Sequence, residues 1–157
     1  MRKQIITHGA QEPSTLESDW LDLEHITRLE ITSEEAGHPI ESALIPGRGL
    51  GWRAAESGEQ TIRLLFDEPQ RIRRIRLSFD EQSGGERTQE FVLSWSLGGE
   101  HYREIVRQQY NFSPSGVTSE VEDYVVDLDG VATLELVIIP DISGGQARAS
   151  LRQLRLA

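Results

Sequence analysis

Residues 61–79 read TIRLLFDEPQRIRRIRLSF, and their periodicity decides the fold. In 61–66, Ile62, Leu64 and Phe66 alternate with Arg63 and Leu65; in 74–79, Ile75, Leu77 and Phe79 alternate with Arg76 and Ser78. An apolar period of two gives a strand one buried face, whereas a helix would need spacings of three and four. Between the two halves lies Asp67-Glu68-Pro69-Gln70, a group of turn formers. The local reading is strand, turn, strand.

Outward from this stretch the same period recurs. Phe91, Leu93 and Trp95 share a face, as do Tyr124, Val126 and Leu128, then Leu134, Leu136 and Ile138, with Leu154 and Leu156 closing the chain. Leu29 and Ile31 form an earlier pair in residues 26–32. Seven or eight strands are predicted, separated by Ser83-Gly84-Gly85, Gly98-Gly99, Asp129-Gly130 and Gly144-Gly145. No helix of three turns is predicted; residues 104–109 fit either one helical turn or a strand. Short strands with glycine turns indicate an all-β fold, an antiparallel β-sandwich of jelly-roll type. Two longer connections, residues 32–55 and 108–120, are where binding groups are expected.

The chain has 157 residues, which suits one domain over 1–157. It is 37% apolar and 27% charged, with a formal net charge of −10. That field repels phosphate backbones at long range, so nucleic acid is a disfavoured partner. With no cysteine there is no disulfide and no thiolate metal site. No stretch reaches the roughly 20 apolar residues of a membrane helix, and residues 1–14 hold no apolar signal core. The expectation is a cytoplasmic protein with no membrane contact.

Catalytic patterns are missing: there is no serine elbow and no cysteine–histidine pair. His8, His25, His38 and His101 lack metal spacing. Asp80-Glu81 and Asp127 with Asp129 offer oxygens of the kind calcium uses, without a complete ligand set. No cofactor, metal or enzymatic activity is predicted. Pro46-Gly47-Arg48-Gly49-Leu50-Gly51 is glycine-rich, but a strand rather than a helix follows it, so a dinucleotide reading fails.

Three stretches carry a likeness to known domains: GWRAAESGEQTIRLLFDEPQRIRRIRLSF (51–79), FVLSWSLGGEHYREI (91–105) and ASLRQLRL (149–156). In their order they resemble the discoidin (factor V/VIII type C) and galactose-binding-like superfamily. Within it, Trp52-Arg53-Ala54-Ala55 followed by Gly58-Glu59 and Thr61-Ile62 looks closest to the DNA-repair-scaffold branch, the N-terminal domain of the X-ray repair cross-complementing type. This chain departs from the extracellular members in lacking their cysteine pair, and from a DNA binder in its acidity.

The resemblance implies a non-catalytic binding module that holds a carbohydrate or another small polar ligand in loops at one end of the sandwich. His38, Arg48, Trp52, Arg53 and Tyr110 are the candidates, because sugar recognition needs an aromatic face and planar polar groups. For Trp52 the competing reading is a core residue capping one sandwich end. Tyr110, Asn111 and Phe112 are predicted in the second long loop, either as an exposed anchor or folded inward.

The repair-scaffold likeness implies a second reading, a protein-interaction scaffold, with nicked-DNA binding behind it. Its contact would be the arginine-bearing sheet face: Arg63, Arg74 and Arg76, with Arg71 and Arg73 around one hairpin. Glu56, Glu59, Asp67 and Glu68 are the expected ion-pair partners if that face is merely solvated.

Overall fold

The two halves of the arginine-rich stretch belong to one strand. In the computed structural model, which describes residues 19–80, 86–113 and 119–157, β3 runs unbroken over Gln60–Asp80. The other strands are β1 (Thr27–Ile31), β2 (Trp52–Ser57), β4 (Arg87–Ser96), β5 (Arg103–Phe112), β6 (Ser119–Ile139), β7 (Arg148–Leu151) and β8 (Gln153–Leu156). Two single-turn helices, α1 (Leu23–Ile26) and α2 (Glu41–Leu44), complete the described elements.

β3 and β6 are both 21 residues long and pair antiparallel along their lengths. Their register breaks between Leu65 and Gln70, again to Ile72, and again to Arg74. Here the chain corrects the local reading of two turns. Pro69 has no N–H to give a ladder, and Gly130, on the opposite strand, has φ +80. Instead of reversing two hairpins, these residues form a corner where both strands bend together.

The corner divides the sheet into two layers. Before it, the order is β1-β3-β6-β4-β5; beyond it, β8 pairs with β3 residues 75–78 and β6 residues 119–125 lie on β3's other side. The layers face each other: Phe79 of β3 and Phe91 of β4 meet with ring centroids 5.2 Å apart. The alternating sets fill the space between them. Ile62, Leu64, Ile75, Leu77, Phe91, Leu93, Leu134, Ile138, Leu154 and Leu156 are fully buried. Each such side chain contributes about 1.5–3 kcal/mol of transfer free energy. The all-β antiparallel sandwich expected from the sequence is the observed fold.

The separate pair β2–β7 continues the second layer past the end of β3, where Ser150 Oγ donates to the Asp80 carbonyl at 3.2 Å and the Arg152 amide to that of Ser78 at 2.9 Å. One flank is closed by α2. The buried Arg155 of β8 donates through Nη1 to the Ala43 and Leu44 carbonyls at 3.2 and 2.9 Å. That satisfies acceptors at a helix C-terminus which would otherwise be stranded against the core. Residues 103–112 form a strand, which resolves the open reading of 104–109.

Candidate functional site

The first long connection is pinned to the end of the sandwich by one buried side chain. Gln60 Oε1 accepts from Thr32 Oγ1 at 2.7 Å and from Ser33 Oγ at 2.6 Å. Ser33 Oγ in turn accepts the Ala55 amide at 3.1 Å, and its carbonyl accepts Trp52 Nε1–H at 3.0 Å. With Ser33 fixed, the chain makes a tight turn over 35–38 that locks onto β2. The Glu35 amide donates to the Arg53 carbonyl at 2.8 Å, the His38 amide to Glu35 at 2.9 Å, and the Arg53 amide to the His38 carbonyl at 3.2 Å.

This turn brings charged groups from three segments to one place. Glu35 Oε2 lies 3.7 Å from Arg53 Nε, and its Oε1 lies 3.8 Å from Arg148 Nη1 on β7. Both distances exceed the 2.7–3.2 Å of a hydrogen bond. The two guanidiniums are therefore held to Glu35 by charge rather than by hydrogen bonds; Arg53 Nε is buried and makes no hydrogen bond among the described residues, while the Arg53 side chain as a whole is 28% exposed. Half-buried His38 sits on the same turn. Planar donors around a carboxylate acceptor can bind a polyhydroxylated or anionic small molecule through several directional bonds.

Of the five residues expected to bind ligand, the structure unites His38 and Arg53. Arg48 is exposed on a different feature. Its Nη2 lies 3.3 Å from Glu24 Oε1, on the rim of a cleft of about 250 Å³ between α1 and α2, floored by Leu23, Leu29, Leu44 and Ile45. Trp52 is corrected: it is 1% exposed, so its indole face packs in the core and offers no platform. Tyr110 is corrected too. It lies on β5 rather than in a loop, with its ring among Phe79, Phe91 and Phe112. Burial pushes its hydroxyl pKa far up, against the opposing pull of the Gln89 side chain. Phe112 is fully buried.

Glu35 and Arg148 were not foreseen. Glu35 lies in the long connection, but one carboxylate among 26 acidic residues carries no local mark. Arg148 reaches the site only because β7 pairs with β2, a long-range fact.

The arginine set is also rearranged. Since residues 61–79 form a bent strand, Arg63 and the pair Arg74 and Arg76 sit on opposite sides of the corner, not around one hairpin. Arg63 is clamped between Glu30 at 2.8 Å and Glu135 at 2.8 Å. Arg76 and Arg74 face Asp123 at 3.0 and 3.7 Å, and Arg76 also stacks over Trp20 with its guanidinium 5.3 Å from the ring centre. Arg71 pairs with Asp127 at 2.9 Å. These partners, on neighbouring strands, replace the expected Glu56, Glu59, Asp67 and Glu68.

Of the calcium-type oxygens, Asp127 is thus engaged by Arg71, and Asp80 by Arg152 at 2.7 Å. Glu81, Ser83-Gly84-Gly85, Pro114-Ser115-Gly116 and His8 lie outside the described residues. Asp22, Glu24 and His25 come together on the surface, with His25 Nδ1 2.7 Å from Asp22 Oδ2; that contact raises the histidine pKa.

No protein-family model matches the chain, and no curated protein matches it. Solved structures do. A pectin-binding carbohydrate-binding module superposes with TM-score 0.60 at 16% identity, over 83% of this chain and 89% of that one. The C-terminal domain of a chitobiase from Bacteroides fragilis gives 0.61 at 18%, over 88% and 97%. The family 32 carbohydrate-binding module of NanJ from Clostridium perfringens, in complex with galactose, gives 0.57 at 14%, over 83% and 92%. At these identities the likeness establishes the antiparallel β-sandwich fold.

Proposed function

We propose that this chain is a non-catalytic carbohydrate-binding module that holds its sugar at the 35–38 turn, through Arg53, Arg148, Glu35 and His38. The observation that carries this reading is the pair of guanidiniums set just beyond hydrogen-bond distance from Glu35. Such groups are fixed in position but not saturated. A sugar's vicinal hydroxyls, or a uronate carboxylate, can bridge an arginine fork and a carboxylate at once. The resemblance to a pectin-binding module and to a galactose complex supports this ligand class.

The alternative is a protein-interaction scaffold of the repair type, contacting its partner or nicked DNA through Arg63, Arg74 and Arg76. It has less to draw on, because those guanidiniums already face Glu30, Glu135 and Asp123.

Calorimetric titration with galactose, N-acetylgalactosamine and galacturonate oligomers, beside a glycan array, tests the sugar reading. At least one saccharide is expected to bind, and Arg53→Ala to weaken it at least about tenfold, the equivalent of ~1.4 kcal/mol. Silence across the array, or equal binding by a folded Arg53→Ala variant, would sink it.

A further inference from the structure

Residues 119–125 of β6 pair in unbroken register with residues 74–80 of β3. On their other side no strand lies among the described residues, since β4 joins β6 only from Ser96↔Thr133 to Glu90↔Ile139. Every second residue of 119–125 therefore points its N–H and C=O away from β3, towards a ladder position that no described strand fills. Natural sheets blunt such edges with charged side chains, above all lysine, with inward-pointing charges, with proline or with a bulge. The segment SEVEDYVVDL (119–128) has no lysine, proline or glycine, its four charges are all acidic and so repel acidic strands while admitting basic ones, and no register shift interrupts 119–125.

Its two faces differ. Outward, Val121 and Val125 are 60% and 64% exposed. Asp123 between them is neutralised by Arg76 at 3.0 Å, with Arg74 at 3.7 Å. On the other face stand Glu120 and Glu122. Neither has a cationic partner among the described residues; Glu122 accepts from the Gln108 amide at 2.8 Å and stands beside Glu120. Partial burial raises the Glu122 pKa, with Glu120 adding to the rise and the Gln108 bond opposing it.

We propose that this edge receives an extended segment of a partner protein by strand addition, and that the segment alternates basic with β-branched residues. Backbone bonds to 119–125 supply the affinity. Lysines or arginines opposite Glu120 and Glu122, and a valine or isoleucine over Val121 and Val125, supply the selectivity. A second copy of this chain fits poorly. It would bring another Glu120 and Glu122 to the same edge, between molecules of net charge −10.

The test uses the full chain with a short peptide alternating lysine and valine, and its glutamate–valine counterpart. The basic peptide is expected to bind about tenfold more tightly or better. It should slow amide exchange across 119–126, and lose about that factor in the doubly substituted Glu120→Gln/Glu122→Gln chain or at high salt. Equal binding of the two peptides, protection elsewhere than β6, or self-association abolished by Val125→Lys would each overturn it.

Discussion

Gly51 is packed so tightly against Leu151 that a Cβ on the glycine would stand 2.6 Å from the Leu151 carbonyl oxygen. The contact seats the start of β2 on β7, and Gly51 meets it with φ +96. Gly58, at the other end of β2, has a similar φ of +88 but nothing within 4 Å of such a Cβ. The two glycines separate backbone strain from collision. Gly58→Ala is expected to cost about 1–2 kcal/mol, the left-handed penalty alone. Gly51→Ala adds overpacking against backbone that cannot yield, for a total of about 3 kcal/mol or more. Urea denaturation of both variants measures the difference; equal losses would mean that β2 and β7 are not apposed this closely.

Arg63 is expected to behave as a structural residue. It spans β1, β3 and β6 by pairing with Glu30 and Glu135, and the Glu135 side chain is only 19% exposed. Arg63→Met leaves that carboxylate half-sheltered without its donor, a loss of about 1–2 kcal/mol. Arg71 and Asp127 are 51% and 72% exposed. Arg71→Ala should therefore stay within about 0.5 kcal/mol of the parent. Thermal unfolding of the pair distinguishes a clamp from a solvated charge.

Alkali should destabilise the fold before it ionises native Tyr110 and Tyr124. Burial, with Glu122 and Glu120 nearby, pushes Tyr124 from 10.0 up to about 12, and burial pushes Tyr110 further. Above pH ~10 the unfolded chain releases phenolic protons that the folded chain retains, so the unfolded state gains with each increment of pH. Stability from this source is complete below that point and declines up to about pH 12 for Tyr124. Urea midpoints across the alkaline range should fall, and fall less in the doubly substituted Tyr110→Phe/Tyr124→Phe chain.

These contrasts also mark what the sequence could disclose. The faces of Ile62, Leu64 and Phe66, or of Phe91, Leu93 and Trp95, follow from alternation alone, because burial on one side of a strand is a local pattern. The roles of Pro69 and Gly130 do not. A proline in a hairpin turn and a proline at a corner have the same neighbours in the chain; they differ in whether a second long strand bends alongside. Trp52 and Arg53 show the same boundary within the site. Adjacent residues on a strand point to opposite faces, so one lies in the core and the other beside Glu35, yet which is which depends on the pairing of β2 with β7. Arg148 joins the site by that pairing and by no signal of its own.

Ser33 gives the sharpest test of how the site is held. Its hydroxyl donates to Gln60 Oε1 and accepts the Ala55 amide, while its carbonyl takes the Trp52 indole N–H. Three segments are thus joined ahead of the turn that carries Glu35 and His38. Ser33→Ala removes two of these bonds and leaves the Ala55 amide without its acceptor, at a cost of about 1–2 kcal/mol. If that energy holds the turn closed, the Glu35 and His38 amides should exchange with solvent roughly tenfold faster. Amides in the centre of β4, which share no partner with Ser33, should exchange as in the parent. Acceleration spread evenly over the molecule would show that Ser33 supports the whole sandwich, and unchanged exchange would show that the backbone bonds of Arg53 to Glu35 and His38 hold the turn unaided.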